Sequence, residues 1–148
     1  MVKNVDGKPT SIRWQEDQCI ACLSCITVCA EEHTYTSASS RSRIRIYADV
    51  FRAEITAEYC RQCRNAPCAR ACPAEAIRFN NGPRAWLIDS NLCTGCGLCV
   101  EACPFDSMKL DPVTNLAMKC DLCLGQMRCV GVCPSGALMI RGAQEEGR

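Results

Sequence analysis

The stretch CTGCGLCVEACP, residues 93–104, places four cysteines within eleven residues and follows the last one with a proline. The first three lie in one short loop, where their side chains can surround a single metal group. Cys103 comes four residues after the third, which is about one helical turn, so it points away from that loop. A proline after it suits an abrupt end to the turn. The fourth cysteine is therefore predicted to bind a different metal group from the first three.

This arrangement occurs four times in the 148 residues. The sixteen cysteines form four groups of four, here called motifs one to four in chain order, and none is left over. The groups read CxxCxxCxxxC, CxxCxxxxCxxxCP, CxxCxxCxxxCP and CxxCxxxxxCxxxCP. In motif three, Gly95 and Gly97 let the backbone pass close to a bound group and turn its N–H groups toward sulfur. Motif one has neither these glycines nor the closing proline.

Three other uses of clustered cysteine fit this pattern less well. A disulfide scaffold belongs to secreted chains, and residues 1–18 contain no apolar signal segment, so we expect a cytoplasmic protein with reduced thiols. Structural zinc sites typically use two separated CxxC pairs. A redox dithiol would be a CxxC standing alone. The spacing with a crossing fourth cysteine is that of bacterial two-cluster ferredoxins, so the sequence predicts four [4Fe–4S] clusters.

The composition agrees with a fold that depends on its metal groups. Without cysteine, only about 37% of the chain is apolar, which is below the usual share, and there are three Phe, three Tyr and two Trp. The length indicates one domain, residues 1–148. We expect the clusters to replace much of the missing core, so that the chain unfolds without them.

Cluster assembly would change the charge of the protein. The formal net charge is +1, but sixteen thiolates and four oxidised cores would bring it to about −7. Arg61, Arg64, Arg70 and Lys119 lie in or beside the motifs, where they could tune potentials or simply be exposed. This balance, with no basic tract containing aromatics, disfavours nucleic-acid binding. No apolar stretch approaches membrane-spanning length.

The segments between the motifs predict an α+β fold of small elements. Residues 76–89 and 107–120 each indicate a β-hairpin, with an Asn-Asn-Gly-Pro and an Asp-Pro turn. Residues 41–50 alternate Arg with Ile, as a half-exposed strand does. Residues 11–14 and 137–141 are predicted to pair at the chain ends. Short helices are expected in the last turn of each motif.

With its four groups, a first motif without Cys–Pro and widened third gaps in motifs two and four, the chain resembles four-cluster ferredoxin-type electron-transfer subunits. The resemblance covers roughly residues 11–141. These subunits accompany molybdenum- or tungsten-pterin oxidoreductases, formate dehydrogenases, hydrogenases and carbon monoxide dehydrogenase. The resemblance therefore implies a catalytic oxidoreductase subunit as partner. Because the chain has no membrane helix or C-terminal extension, we expect a partner outside the membrane, with tungsten aldehyde oxidoreductases a good fit.

The resemblance also implies how the motifs pair, one with four and two with three. The implied ligand sets are Cys19, Cys22, Cys25 and Cys133 for cluster 1; Cys120, Cys123, Cys129 and Cys29 for cluster 2; Cys60, Cys63, Cys68 and Cys103 for cluster 3; and Cys93, Cys96, Cys99 and Cys72 for cluster 4. Residues 53–110 would then be an inner two-cluster unit, nested between residues 11–52 and 111–141 of an outer one. Without the resemblance, the cysteine spacing also allows a sequential pairing, of motif one with motif two and of motif three with motif four.

The predicted function is electron relay to or from a partner enzyme. The alternatives are a free polyferredoxin shuttle and a subunit that stacks with further copies of itself into a conducting assembly. A catalytic role of its own has no support, because there is no nucleophile–base pair and no glycine-rich phosphate loop. His33, the only histidine, is predicted to be a surface residue.

Overall fold

The computed structural model describes residues 9–141, and the ends of the predicted 1–148 domain lie outside the described residues. The strands are β1 Ser11–Trp14, β2 Ile44–Asp49, β3 Glu54–Tyr59, β4 Ile77–Asn80, β5 Ala85–Ile88, β6 Lys109–Leu110, β7 Ala117–Met118 and β8 Leu138–Arg141. The helices are α1 Ser24–Thr34, α2 Pro67–Arg70, α3 Leu98–Glu101 and α4 Arg128–Gly131, with 3-10 turns at Glu16–Gln18, Ser39–Arg41 and Leu122–Gly125. Within this part of the chain, no helix combines the length and apolarity needed to cross a membrane.

The strands pair two by two in antiparallel ribbons. The hairpins β4–β5 and β6–β7 are those predicted from their turn sequences. Strands β1 and β8, predicted to pair at the chain ends, do so with Ile12 opposite Ile140. This ribbon joins residues more than 120 positions apart and therefore brings motif one close to motif four.

The fourth ribbon joins β2 to β3. Strand β2 was predicted from its alternation, and its Ile44 and Ile46 are buried while the end near Asp49 is exposed. Its partner β3 was not predicted, although EITAEY alternates polar and apolar residues, and its Ile55, Ala57 and Tyr59 pack in or against the core. The turn between them carries Val50 and Phe51 into solvent.

The four helices begin at the same point of each motif, one residue before the third cysteine. The residue that precedes each helix has a positive φ: Leu23, Ala66, Gly97 and Met127. Helices α2, α3 and α4 are one turn long because a Cys–Pro pair follows, and proline cannot continue the hydrogen-bonded ladder. Helix α1 continues past Cys29 to Thr34 because no proline stops it.

Two small cores lie between these elements. One is built from Ile12, Ile26, Ile44, Leu122 and Leu138, together with buried thiols from motifs one and four. The other contains Ala69, Ile77, Trp86 and Met108, packed against thiols of motifs two and three. Cysteines thus complete both cores, and the finding supports an α+β architecture organised around them.

Candidate metal centres

Four cavities in the structure are each lined by four cysteines. We name them cavities A to D. Their volumes free of protein atoms are close to one another, at about 330 Å³ for A, 350 Å³ for B, 340 Å³ for C and 330 Å³ for D. The sixteen thiols are all free of disulfides. The identical set of donors indicates four places suited to the same kind of ligand.

Each cavity combines three thiols of one motif with the fourth cysteine of another. Cavity A is lined by Cys19, Cys22, Cys25 and Cys133; cavity B by Cys120, Cys123, Cys129 and Cys29; cavity C by Cys60, Cys63, Cys68 and Cys103; and cavity D by Cys93, Cys96, Cys99 and Cys72. The structure thus brings together the four cysteines of each implied set. Their role as ligands stays a prediction.

The cavities follow one another in the order A, B, C, D. Helices α1 and α4 pack together between A and B, and α2 packs with α3 between C and D. Cavities B and C meet where Lys119, the residue before Cys120, lies against Cys60. The only two exposed cysteines are Cys22 in A and Cys96 in D. The series therefore reaches solvent at its two ends.

The loops that carry the thiols contain many residues in the left-handed backbone conformation, which is unfavourable for residues other than glycine. Eight non-glycine residues within the motifs have positive φ: Ala21, Leu23, Gln62, Ala66, Leu122, Cys123, Leu124 and Met127. A left-handed residue other than glycine costs roughly 1–2 kcal/mol. Strain of this kind persists only where surrounding interactions impose it. Metal–thiolate bonds from three cysteines of one loop would supply such interactions.

Backbone N–H groups point at the sulfur atoms. Such contacts, all of 3.3–3.4 Å, run from Arg43 to Cys29, Gln62 to Cys60, Ala76 to Cys72, Ala117 to Cys93 and Leu122 to Cys120. Hydrogen bonds to sulfur stabilise the charged thiolate and are one of the determinants of iron–sulfur potentials. The donors therefore fit thiolates that bind a metal group.

The raised pKa values of several buried thiols show that their thiolate forms need a positively charged partner. Burial raises the pKa of Cys129 to about 12 and that of Cys25 and Cys68 to about 11. Neighbouring thiols contribute to the raised pKa of Cys129, while Lys119 opposes the rise in the pKa of Cys68. Four clustered thiolates would repel one another, so each cavity requires a cationic core to hold them deprotonated.

Trp14 adds an independent observation in favour of a bound group. Its indole Nε1 is buried and has no hydrogen-bond partner among the described residues. Trp14 lines cavity A. A buried N–H group without an acceptor is rare in a folded protein. A sulfur-containing group in cavity A would offer an acceptor, and the residues of all four cavities fit [4Fe–4S] clusters.

The prediction that His33 is a surface residue is wrong. Its side chain is 10% exposed, and its Nε2 lies 2.9 Å from Asp121 Oδ1. Its Nδ1 lies 2.8 Å from the carbonyl oxygen of Cys29, one turn earlier on α1. Arg43 Nη1 binds the other oxygen of Asp121 at 2.6 Å. Burial lowers the pKa of His33, but its hydrogen bonds to Asp121 and Cys29 raise it to about 9.

This network borders cavity B and was not found from the sequence. Asp121 lies 88 positions from His33, so no local pattern connects them. Of the four cations noted beside the motifs, Arg61, Arg64 and Arg70 are exposed, and only Lys119 is buried. Burial distinguishes Lys119 from the three arginines, although Arg61 also lines cavity C.

Comparisons with known proteins agree with the thiol-lined cavities. Residues 51–143 match the family described as a 4Fe-4S dicluster domain. The chain belongs to this family. Its cofactors are therefore [4Fe–4S] clusters. The match includes motifs two, three and four, whereas motif one lies before it.

Two curated proteins show the range of this dicluster family's relatives. The chain is 38% identical to the NADH-dependent phenylglyoxylate dehydrogenase subunit beta of Aromatoleum evansii, over 87% of this chain but only 29% of that protein. It is 35% identical to the thiosulfate reductase electron transfer subunit PhsB of Salmonella typhi, over 83% of this chain and 70% of that one. The chain thus spans less than a third of the first relative's length.

A solved structure shares the fold. A chain of the active site complex BamBC of benzoyl coenzyme A reductase, solved with zinc, superposes with a TM-score of 0.51 and 24% identity. The superposition covers 94% of this chain and 82% of that chain. The mixed helix–strand fold around a dicluster domain is thereby shown, while the nested division into two units stays a prediction.

Proposed function

We propose that this chain is an electron-relay subunit that holds four [4Fe–4S] clusters, one in each of cavities A to D. The observation that carries the proposal is the series of four thiol-lined cavities, whose most exposed thiols are Cys22 in cavity A and Cys96 in cavity D. The clusters supply one-electron oxidation and reduction. Electrons would enter at one exposed end and leave at the other.

The four thiols of each cavity are the proposed ligands. Cluster 1 takes those of cavity A, cluster 2 those of B, cluster 3 those of C and cluster 4 those of D. Three thiols on one loop fix the position of a cluster, and the fourth, on the turn after another helix, ties two motifs together. Each pair of motifs would thus be cross-linked twice by metal groups.

The nested division follows from this pairing. The inner unit, residues 53–110, contributes cavities C and D, and the outer unit, residues 11–52 with 111–141, contributes A and B. Two observations support it: β1 pairs with β8 across the whole chain, and the two cores separate motifs one and four from motifs two and three. We propose a single polyferredoxin domain composed of these two units.

The residues of the chain hold, orient and shield the proposed clusters. Buried side chains such as Ile12, Ile77, Trp86 and Leu138 exclude water from the thiols. Backbone N–H groups donate to sulfur, as described above. The one histidine of the sequence lies beside a thiol, Cys29, at 3.9 Å, but that thiol is a proposed cluster ligand and the other ring nitrogen of His33 is engaged with Asp121. Substrate chemistry is therefore proposed to take place on another polypeptide.

We infer that the partner is the catalytic subunit of an oxidoreductase. The names of the relatives support this inference, since one is a dehydrogenase subunit and another an electron transfer subunit of a reductase. A tungsten- or molybdenum-pterin enzyme is proposed as one form of this partner, on the resemblance of the four cysteine motifs alone. Stacking with further copies of itself is the competing arrangement.

The test is metal analysis of the anaerobically purified chain together with its copurifying polypeptides. We expect about 16 iron and 16 sulfide per chain, in four clusters of four. Reduction should be complete with four electrons. Eight iron per chain would contradict the four-cluster proposal, and stoichiometric zinc would contradict iron–sulfur. A larger oxidoreductase polypeptide in the same particle supports the relay; a particle composed only of this chain would favour the shuttle or the stacked assembly.

A further inference from the structure

Lys119 is buried at the point where cavities B and C meet. It is 2% exposed and directly precedes Cys120 of cavity B. Its Nζ lies 3.9 Å from Cys60 Sγ of cavity C. The same Nζ donates to the carbonyl oxygen of Cys120 at 2.9 Å and to that of Trp86. An ammonium group has three N–H donors, so each finds an acceptor here.

Gln62 fixes the same junction from the other side. It is 3% exposed, and its Nε2 donates to the carbonyl oxygen of Cys120 at 2.7 Å. Its Oε1 accepts the backbone N–H of Trp86 at 2.9 Å. Its own backbone N–H points at Cys60 Sγ at 3.4 Å. The position of the ammonium group between the two cavities is thus determined by a connected set of hydrogen bonds.

The charge of Lys119 has no carboxylate partner among the described residues. A buried ammonium group is costly unless an anion compensates it. The anions within reach are the thiolates of cavities C and B. A [4Fe–4S] cluster with four thiolates and an oxidised 2+ core carries a net charge of about −2. Lys119 therefore lies between two dianions that would otherwise repel each other across the junction.

We propose that Lys119 is a fixed positive charge that raises the reduction potential of the cluster in cavity C and, to a smaller extent, that of the cluster in cavity B. This inference rests on the proposed function. Reduction of either cluster adds one electron, taken from its neighbour in the series, with no bond made and no proton moved. The added negative charge is stabilised by a nearby cation. The potential of the cluster in cavity C is raised more because Lys119 Nζ faces the sulfur of Cys60 there. On the side of cavity B it faces a backbone oxygen.

The charge of Lys119 therefore makes the potentials of the two middle clusters differ from those of the two end clusters. The middle of the series holds an electron more readily than it would without the lysine, and transfer from cavity B to cavity C becomes more favourable than the reverse step. Solvent screens the charge of the exposed Arg64 and Arg70. Arg61 lines cavity C too, but it is exposed and lies over the Tyr59 ring, so its charge is screened more than that of Lys119. Lys119, the buried cation at this junction, therefore acts on the crossing between the two units.

The experiment compares midpoint potentials of the four clusters in the purified holoprotein, by EPR-monitored redox titration. The variants are Lys119→Met and Lys119→Gln, which remove the charge, and Lys119→Arg, which keeps it. Lys109→Met is the matched control, since Lys109 is half-buried and pairs with Glu58 at 3.5 Å. In both neutral variants we expect at least one potential to fall by about 59 mV, which is a tenfold change in a one-electron equilibrium. Lys119→Arg and Lys109→Met should keep the wild-type values.

The outcomes separate this inference from the proposed function. Wild-type protein with 16 iron and four reducible clusters, but unchanged potentials in both neutral variants, would overturn the inference alone. Loss of iron in both neutral variants with full iron in Lys119→Arg would show a structural role and would also overturn it. A wild-type protein without four clusters would overturn the proposed function first. A fall of all four potentials together would contradict the local action of the charge.

Discussion

The loops of motif one and motif three follow the same backbone path with different residues. In motif three the path is adopted by Gly95 and Gly97, with φ of 70° and 81°. In motif one the same positions hold Ala21 and Leu23, with φ of 52° and 62°. Both loops lie at the exposed ends of the series, at Cys96 and Cys22. The left-handed path is therefore common to both loops and does not require glycine, which fits a path held by three thiols on one metal group.

Glycine is indispensable in only one of the two places in motif three. A Cβ built on Gly95 would overlap the backbone oxygen of Asn115, in the turn between β6 and β7. A Cβ on Gly97 would meet nothing within 4 Å. Gly95 is thus required by a close approach of two backbones, and Gly97 only eases a conformation that Leu23 adopts in motif one.

The largest effect should follow from removing iron altogether. Without metal bonds, the left-handed residues of both loops lose what holds them, and neither small core is sufficient for folding. We expect the apo chain to show no cooperative thermal transition when monitored by circular dichroism. The reconstituted chain is the control, and a sharp transition of the apo form would contradict this reading of the loops.

Next in size is the loss of one cluster from a crossing cysteine. Cys29 belongs to motif one in the sequence, but in the structure it lines cavity B with three thiols of motif four. Cys29→Ala should remove or convert to [3Fe–4S] a single cluster, and the EPR signal that is lost should be the one lost in Cys123→Ala. Cys22→Ala, in cavity A, should affect a different signal. If Cys29→Ala and Cys22→Ala change the same signal, the pairing of motifs one and four is wrong.

A smaller effect is expected at the two glycines. Gly95→Ala should destabilise by about 2–3 kcal/mol, because backbone must move to relieve the overlap with Asn115. Gly97→Ala should cost about 1 kcal/mol, the strain of a left-handed alanine alone. The rate of loss of visible absorbance in guanidinium measures both variants. Equal rates would show that the contact with Asn115 does not matter.

The smallest effect should come from placing glycine in motif one. Ala21→Gly relieves left-handed strain but raises the entropy of the unfolded chain, so the two contributions nearly cancel. We expect a change of about 1 kcal/mol or less, measured by the same cluster-loss rate. A large destabilisation would mean that packing of the Ala21 methyl group, and not backbone strain, dominates the stability of this loop.

Much of the local structure could be predicted because it depends on short spacings. The hairpin of residues 76–89 is encoded by its turn, and the one-turn helices by the cysteine spacing and the proline that follows. The burial of His33 and Lys119 could not be predicted. Their partners lie far away in sequence, at Asp121 for His33 and at Cys60 and Trp86 for Lys119, so neither leaves a local periodic signal.

The sequence by itself determined the donors and their grouping: sixteen cysteines in four motifs, each with three thiols in a loop and a fourth turned away from it. Only the tertiary structure decided which loop each fourth cysteine faces, because this depends on long-range pairing such as β1 with β8. It also decided which cation is buried among the thiols. Spacing along the chain controls local geometry, whereas contacts between distant residues are set by the packing of the whole fold.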